Sequence, residues 1–296
     1  MNKVYEIVTQ RIINALEQGE IPWRPRFSVD KGLPRNAVSK KPYRGVNLLL
    51  LWLARYQDNR FLTFKQAKEM GGEVKKGEHG WPVIFWKLQE IDETIPSTGE
   101  LKQVPVLRYY TVFNVSQCSG LGLPKIIEVS EFTPIEMGER ILLGYPNPPC
   151  VFYGKGCGCY RPSDDIVEMP RPETFQKNEH YYSVLFHELV HSTGHAKRLN
   201  REEIATPKKF GSEPYSREEL VAELGSAFLC AECGIEQDTL EDHAAYIQGW
   251  LKRLKDDSRL IVLAAAAAQR AADHILARTF ESVESSAETA APMLVS

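Results

Sequence analysis

Three of the chain's seven histidines fall in one ten-residue stretch, "FHELVHSTGH" (186–195), with Glu188 directly after His187 and His191 four residues after it. Residues four apart on a helix lie one above the other on the same face. His187 and His191 can therefore both reach one divalent cation, Zn2+ accepting imidazole nitrogens at about 2.0–2.1 Å. Glu188 points elsewhere, where its carboxylate can take a proton from a water that the metal acidifies. That is the chemistry of amide hydrolysis. The competing reading is two histidines on a polar helix surface. The context favours the metal, because Tyr182, Leu185, Phe186, Leu189 and Val190 make one apolar stripe beside them and Gly194 supplies a stop.

A catalytic zinc normally takes a third protein ligand. One solution places it six residues after the second histidine, but that position is Lys197, and His195 comes two residues early. The other solution is a glutamate from the next helix. "YSREELVAELGSAFLC" (215–230) offers Glu218, Glu219 and Glu223. Glu223 borders the stripe Leu220, Leu224, Ala227, Phe228, and small neighbours (Ala222, Gly225, Ser226) would let this helix approach the first closely. The sequence thus points to Glu223 as third ligand, to Glu219 as an outer-shell partner, and to His195 as a helix-end or cleft residue. The expected cofactor is one Zn2+ per chain, with Mn2+ or another divalent metal acceptable to the same donors. The pairs Cys157/Cys159 and Cys230/Cys233 are poor zinc-ribbon candidates, the first too tightly spaced and the second inside a helical pattern.

The elements that must position these residues divide the 296-residue chain into two α+β halves. An amphipathic helix (2–19) opens the first half, and a loop rich in Pro, Arg and Lys (20–45) and a buried helix (46–56) follow. "WPVIFWKLQEI" and "VPVLRYYTVFNV" are strand-like, so this half carries a small antiparallel sheet. Five prolines crowd residues 121–150, and the boundary is placed early among them, giving domains 1–128 and 129–280. "CVFYGKGCGCYRPSDDIVEMP" reads as short strands around glycine turns. Helices follow at 178–193, 215–232 and 238–278, the last interrupted at Asp256–Ser258. Residues 281–296 lack periodicity and are expected to be a disordered tail. The N-terminus has no secretory signature, and the longest apolar run, "LIVLAAAAA", is too short to cross a bilayer, so a cytoplasmic protein without a membrane partner is expected.

Charge separates the halves. Residues 1–125 hold 19 Lys+Arg against 12 Asp+Glu, a net of +7, whereas the remainder carries −10. Basic and aromatic residues interleave in the first half: Trp23, Arg24, Arg26, Phe27; Lys40, Lys41, Tyr43, Arg44; Lys75, Lys76, Trp81, Trp86; then Arg108, Tyr109, Tyr110. Cations neutralise phosphate and exposed rings stack on unpaired bases, and nothing in the sequence resembles a groove-reading helix. The expected ligand is single-stranded DNA, held by Trp23, Arg24, Arg26, Lys40, Lys41, Tyr43, Arg44, Lys75, Lys76, Trp81 and Trp86, although alternation along "WPVIFWKL" must bury some of these rings.

The phrases "IPWRPRF", "PYRGVNLLLL", "FLTFKQAKEMGGEVKKGEHGWPVIFW" and "YYTVFNV", followed by "FHELVHSTGHAKRL" and "ELVAELGSAFL", resemble the plasmid-encoded ArdC-type antirestriction proteins over nearly the whole chain. The resemblance implies a single-stranded-DNA-binding N-terminal domain and a zincin-like (gluzincin-like) metallopeptidase domain with an HExxH helix. In that domain His187 and His191 are metal ligands, Glu188 is the catalytic glutamate, and the segment opening at Glu223 supplies the acidic ligand. The function so implied is protection of incoming plasmid DNA from host restriction during conjugation. Two alternatives stay open: a metallopeptidase whose main activity is cleaving a host protein such as a restriction component, and a DNA binder with a non-catalytic metal site. Direct imitation of DNA is disfavoured by the +7 half.

Overall fold

Val4, Val8, Ile12 and Leu16 recur at helical spacing, and the first helix, α1 (Lys3–Glu17), buries all four. In the computed structural model the described residues are 3–24, 32–94, 101–124, 133–154, 156, 158–205, 216–237 and 243–278. After α1 come β1 (Arg35–Asn36), α2 (Val46–Trp52), β2 (Arg60–Thr63), α3 (Phe64–Glu69) and β3 (Glu73–Val74). The two aromatic runs form β4 (Trp81–Thr94) and β5 (Leu101–Asn114), an antiparallel pair in register from Trp81↔Val112. Sheet order is β1-β2-β5-β4, antiparallel except for the short parallel β1/β2 pairing. The β3 strand pairs with β6 (Cys118–Ser119).

The second half begins with α4 (Pro134–Gly144), which Thr133 and Glu136 start with a reciprocal capping box. Then β7 (Cys150–Tyr153), β8 (Cys159–Arg161) and β9 (Ile166–Met169) make a sheet of order β7-β9-β8, which puts β8 at an edge. The helices are α5 (Asn178–Thr193), a short α6 (Glu202–Ala205), α7 (Arg217–Cys233), α8 (His243–Asp256) and α9 (Leu260–Ile275). The break expected at 256–258 separates α8 from α9, and the Asp257 carboxylate accepts the Arg259 N–H at 2.9 Å.

Helix α7 lies between α5 and α9 and is buried over most of its surface, with Leu220, Val221, Ala222, Leu224, Phe228 and Leu229 almost inaccessible. Its helix-facing surface is small where α5 crosses. A Cβ on Gly225 would stand 2.7 Å from a Val190 methyl, so only glycine permits this approach.

The basic and acidic halves share one hydrophobic core. Helices α1 and α2 pack on α8 and α9, and polar contacts stitch the seam. The Thr9 hydroxyl donates to the Ser258 carbonyl at 2.6 Å, the Gly45 N–H donates to Gln269 at 2.8 Å, and Arg44 pairs with the buried Asp273. The boundary expected near residue 128 and the tail 281–296 lie outside the described residues. Among the described residues no helix is long and apolar enough to cross a membrane.

Candidate metal centre

Helix α5 carries the histidine pair, and its anchoring side is the one the sequence indicated: Tyr182, Leu185, Phe186, Leu189 and Val190 are all buried. One turn apart, the His187 and His191 Nε2 atoms converge to 3.2 Å. The carboxylate that meets them belongs to Glu219, whose oxygens lie 3.5 Å from His187 Nε2 and 3.6 Å from His191 Nε2. Among the described residues His187, His191 and Glu219 are the group whose donor atoms could surround one cation. Two imidazoles and a carboxylate converging on one point fit a divalent metal of the zinc or manganese type.

Glu223 lies elsewhere. Its carboxylate receives the Arg24 guanidinium at 3.2 Å, across the seam between the halves. The expectation of Glu223 as ligand and Glu219 as outer partner is therefore corrected in the geometry: Glu219 faces both histidines, and Glu223 is not part of the cluster. The reason is that α7 is buried over most of its surface, so adjacency to an apolar stripe carries no directional information. A better signal was available in "SREE". Ser216 is the N-cap of α7, accepting the Glu219 N–H at 3.2 Å, so Glu218 and Glu219 occupy the first turn, where the helix dipole favours carboxylates.

Glu218 is the residue that the sequence reading passed over. Almost fully buried, it lies 3.2 Å from His191 Nδ1 and is gripped by Arg201 through Nε at 2.9 Å and Nη2 at 2.6 Å. Burial alone would raise its pKa, but His191 and Arg201 hold it below the usual carboxylate range. Burial also disfavours the His191 imidazolium, yet the hydrogen bonds to Glu218 and Glu219, with the charges of Glu218 and Glu188, push that ring up to about 10. A cation entering the site would displace this proton.

Glu188 is buried on another face of α5, where its side chain meets Gly158 at the start of β8; a Cβ added there would lie 3.6 Å from Glu188 Cγ and 2.6 Å from Val184. Helix α5 packs against the edge strand β8, and Glu188 is on the part of the helix that nears the start of that strand. His195 stands outside the cluster: its Nδ1 accepts the Lys197 N–H at 3.2 Å and faces Asp165 at 4.0 Å.

With the geometry placed, comparison with known proteins is informative. Residues 151–267 match the family described as zincin-like metallopeptidase, and residues 2–113 match the N-terminal domain of the anti-restriction factor ArdC. A crystal structure of the antirestriction ArdC protein from the R388 plasmid superposes with a TM-score of 0.72 at 35% identity, covering 92% of this chain and 96% of that one. The chain belongs to the ArdC antirestriction family. A second crystal structure of the R388 ArdC protein, with Mn(II) bound, matches equally well. Protein y4eC of Sinorhizobium fredii is 37% identical over 91% of this chain and 90% of its own length. A DNA primase TraC of Escherichia coli is 34% identical over 92% of this chain, which spans only 20% of that relative's length.

The ArdC-type N-terminal domain sorts the expected strand-binding residues into two groups. Trp23 is completely buried; its indole N–H donates to Tyr246 at 2.9 Å and its ring meets Trp250 edge-on at 6.1 Å. Tyr43 is also buried, edge-on to Phe61, and burial pushes its phenol pKa up. Arg24 and Arg44 are engaged by Glu223 and Asp273. Trp23, Arg24 and Arg44 hold the seam between the halves and Tyr43 packs inside the first half, which corrects their assignment to a DNA surface: both rings are out of solvent and both guanidinium groups are paired. Arg26 lies outside the described residues. Lys40, Lys41, Lys75 and Lys76 are exposed. Trp81 is half-buried under the Arg11 guanidinium at 5.1 Å. Trp86 is 50% exposed, and Tyr109, one of the interleaved aromatics but not among the residues expected to hold the strand, is 49% exposed. Because Trp86 pairs with Leu107 and Ile84 with Tyr109, both open rings share one face of the β4–β5 hairpin. Lys87 and Arg108 are also exposed, on the opposite face of the hairpin.

Proposed function

We propose that this ArdC-family chain is an antirestriction protein that holds single-stranded DNA on the β4–β5 hairpin and carries a divalent metal at His187, His191 and Glu219. The observation that carries the strand-binding part is the pair of half-exposed rings, Trp86 and Tyr109, on one hairpin face of the basic half. Unpaired bases offer faces to such rings, at about 1–3 kcal/mol each, while the exposed lysines at 40, 41, 75 and 76 of the same basic half neutralise phosphates. A duplex has no open base faces. Strand binding of this kind protects incoming plasmid DNA by occupying it, and the chain's kinship with the TraC primases, themselves nucleic-acid enzymes by name, supports it.

A second reading has its own observation: Glu188, next to His187 in the chain, is buried on a helix that packs against the edge strand β8. A peptide added to that edge would pass in front of Glu188. A divalent metal at the site supplies Lewis-acid polarisation of a carbonyl. The chain's own part is to hold the peptide by strand addition and to take and return a proton at the Glu188 carboxylate. The target would be a host protein.

The deciding experiment is an in-cell assay of plasmid entry into a restricting host. Trp86→Ala/Tyr109→Ala is expected to lose protection while keeping metal. Glu188→Gln is expected to keep both strand binding and metal. Protection that survives loss of both rings would overturn the hairpin as the functional surface. Protection lost in Glu188→Gln, with new host cleavage products in the wild type only, would make proteolysis the function.

A further inference from the structure

Arg201 lies one carboxylate away from the metal site and touches none of its proposed ligands. It follows α5 by eight residues and makes four side-chain contacts. Two go to Glu218, at 2.9 and 2.6 Å; one goes to the Val190 carbonyl at 2.8 Å and one to the Thr193 hydroxyl at 2.6 Å. The last two lie in the final turn of α5, where helix carbonyls lack intrahelical partners and a cation is favoured. The first two lie in the first turn of α7. One guanidinium therefore ties the end of the histidine helix to the start of the glutamate helix, with side-chain exposures of only 11% for Arg201 and 8% for Glu218.

The chemistry of this chain of contacts has one direction. Arg201 donates, and the Glu218 carboxylate can only accept. At 3.2 Å the remaining partner of that carboxylate is His191 Nδ1, which must then donate. With Nδ1 committed as N–H, Nε2 is the nitrogen left for a cation, and it is Nε2 that faces His187 and Glu219. Glu219 is fixed in the same step, since it is the next residue on the same helical turn.

We propose that Arg201 is a positioning residue of the metal centre: acting through Glu218, it commits the His191 ring to present Nε2 and holds Glu219 opposite. This rests on the reading of His187, His191 and Glu219 as the metal ligands. Lysine cannot replace it, because a point charge cannot grip both carboxylate oxygens and the helix end together.

The test is a competitive zinc titration of the full chain and of Arg201→Met, Arg201→Lys, Glu218→Gln and the Arg201→Met/Glu218→Gln double variant. The expected result is a loss of about 10–100-fold in zinc affinity for each single variant, in the range of outer-shell partners. The double variant should be no worse than the worse single one, because both act through one contact. In the zinc-loaded chain the His191 Nδ1 proton should exchange slowly in the wild type and quickly in Arg201→Lys. Thermal unfolding of the metal-free proteins separates general stability from affinity. Unchanged zinc affinity in Arg201→Lys and Arg201→Met overturns the proposal, as do fully additive losses, which would mean that Arg201 only braces the fold. Unchanged zinc affinity in His187→Ala would instead overturn the ligand reading itself.

Discussion

Glu218 and Glu219, adjacent in the chain, hold the same histidine from opposite sides: Glu218 lies 3.2 Å from His191 Nδ1, and Glu219 lies 3.6 Å from His191 Nε2. Neighbouring helical residues normally diverge by about 100° around the axis, given 3.6 residues per turn. Here the imidazole fits into that divergence, so the ring is clamped in its own plane by two carboxylates. The first turn of α7, capped by Ser216, is where a helix best tolerates two such charges together.

The metal should depend on Glu219 and not on Glu223. Glu219→Ala removes a donor facing both histidines, and should cost more zinc or manganese affinity than the roughly 10–100-fold of an outer-shell change. Glu223→Ala should leave metal content near one ion per chain and instead loosen the Arg24 contact. Metal analysis of purified, dialysed protein checks both. Metal lost in Glu223→Ala and kept in Glu219→Ala would reverse the assignment.

Trp23 and Trp86 should behave oppositely. Trp23→Ala empties a core position and should lower stability by about 3–5 kcal/mol. Trp86→Ala should leave the melting temperature almost unchanged and weaken single-strand binding by about 1–3 kcal/mol. Denaturant titration and fluorescence anisotropy on an oligonucleotide, taken together, separate the two. Log affinity of the wild type should fall with log salt by about 0.7 per phosphate neutralised.

How far the sequence carried these conclusions depended on the kind of information each residue held. The histidine pair was legible because residues four apart on a helix share a face whatever covers the rest of it, and in α5 all of Glu188–Thr193 is buried. Helix α7 is covered by α5 on one side and α9 on another, so bordering its apolar stripe put Glu223 ahead of Glu219 although the stripe does not mark the side toward the histidines. Trp23, Arg24, Tyr43 and Arg44 read as a nucleic-acid surface because composition records residue type and not burial. The partners of Trp23, Arg24 and Arg44, namely Tyr246, Glu223 and Asp273, lie some 200 residues away and no local pattern announces them, while Tyr43 is buried against Phe61 within its own half. The hairpin was legible from its β-branched and aromatic runs, but the alternation expected along "WPVIFWKL" fails: Pro82, Val83 and Ile84 are all buried, while Trp86 and Lys87 are both exposed.

Gly225→Ala should disturb the metal site from a distance. Its methyl group would meet both Val190 methyls at 2.7 and 2.8 Å, and a β-branched side chain within a helix has little rotamer freedom with which to yield. Overpacking costs about 1–3 kcal/mol, while alanine returns about 1 kcal/mol of helix propensity. The net stability change should therefore be small, and the spreading of α5 from α7 should appear mainly as weaker metal binding. Val190→Ala in the same chain makes room for the methyl group and should restore affinity. Equal affinity in Gly225→Ala and wild type would show that the helix spacing has slack.

The last prediction concerns acid stability at the far end of α5. Arg198, whose side chain is only 1% exposed, donates to the Ser192 carbonyl at 2.7 Å and forms an ion pair with Asp165, which also accepts the Tyr160 hydroxyl at 2.9 Å. Burial would raise the Asp165 pKa, but the bonds from Arg198 and Tyr160 and the Arg198 charge outweigh it, and the carboxyl lies below its ordinary value. A carboxylate whose pKa is lower in the folded than in the unfolded chain contributes stability that is complete above the unfolded value. That contribution is lost as pH falls through the folded one. Asp165 has φ 55°, a conformation that asparagine tolerates, so Asp165→Asn removes the charge without forcing the backbone. The variant leaves a buried guanidinium without its carboxylate, and should be less stable at neutral pH by about 3–5 kcal/mol. Below the carboxylate range the difference should shrink, because the wild-type Asp165 is then protonated too. Urea unfolding at neutral pH and at successively lower pH measures the gap. A gap that stays constant as pH falls would assign the loss to packing and not to the Asp165 charge.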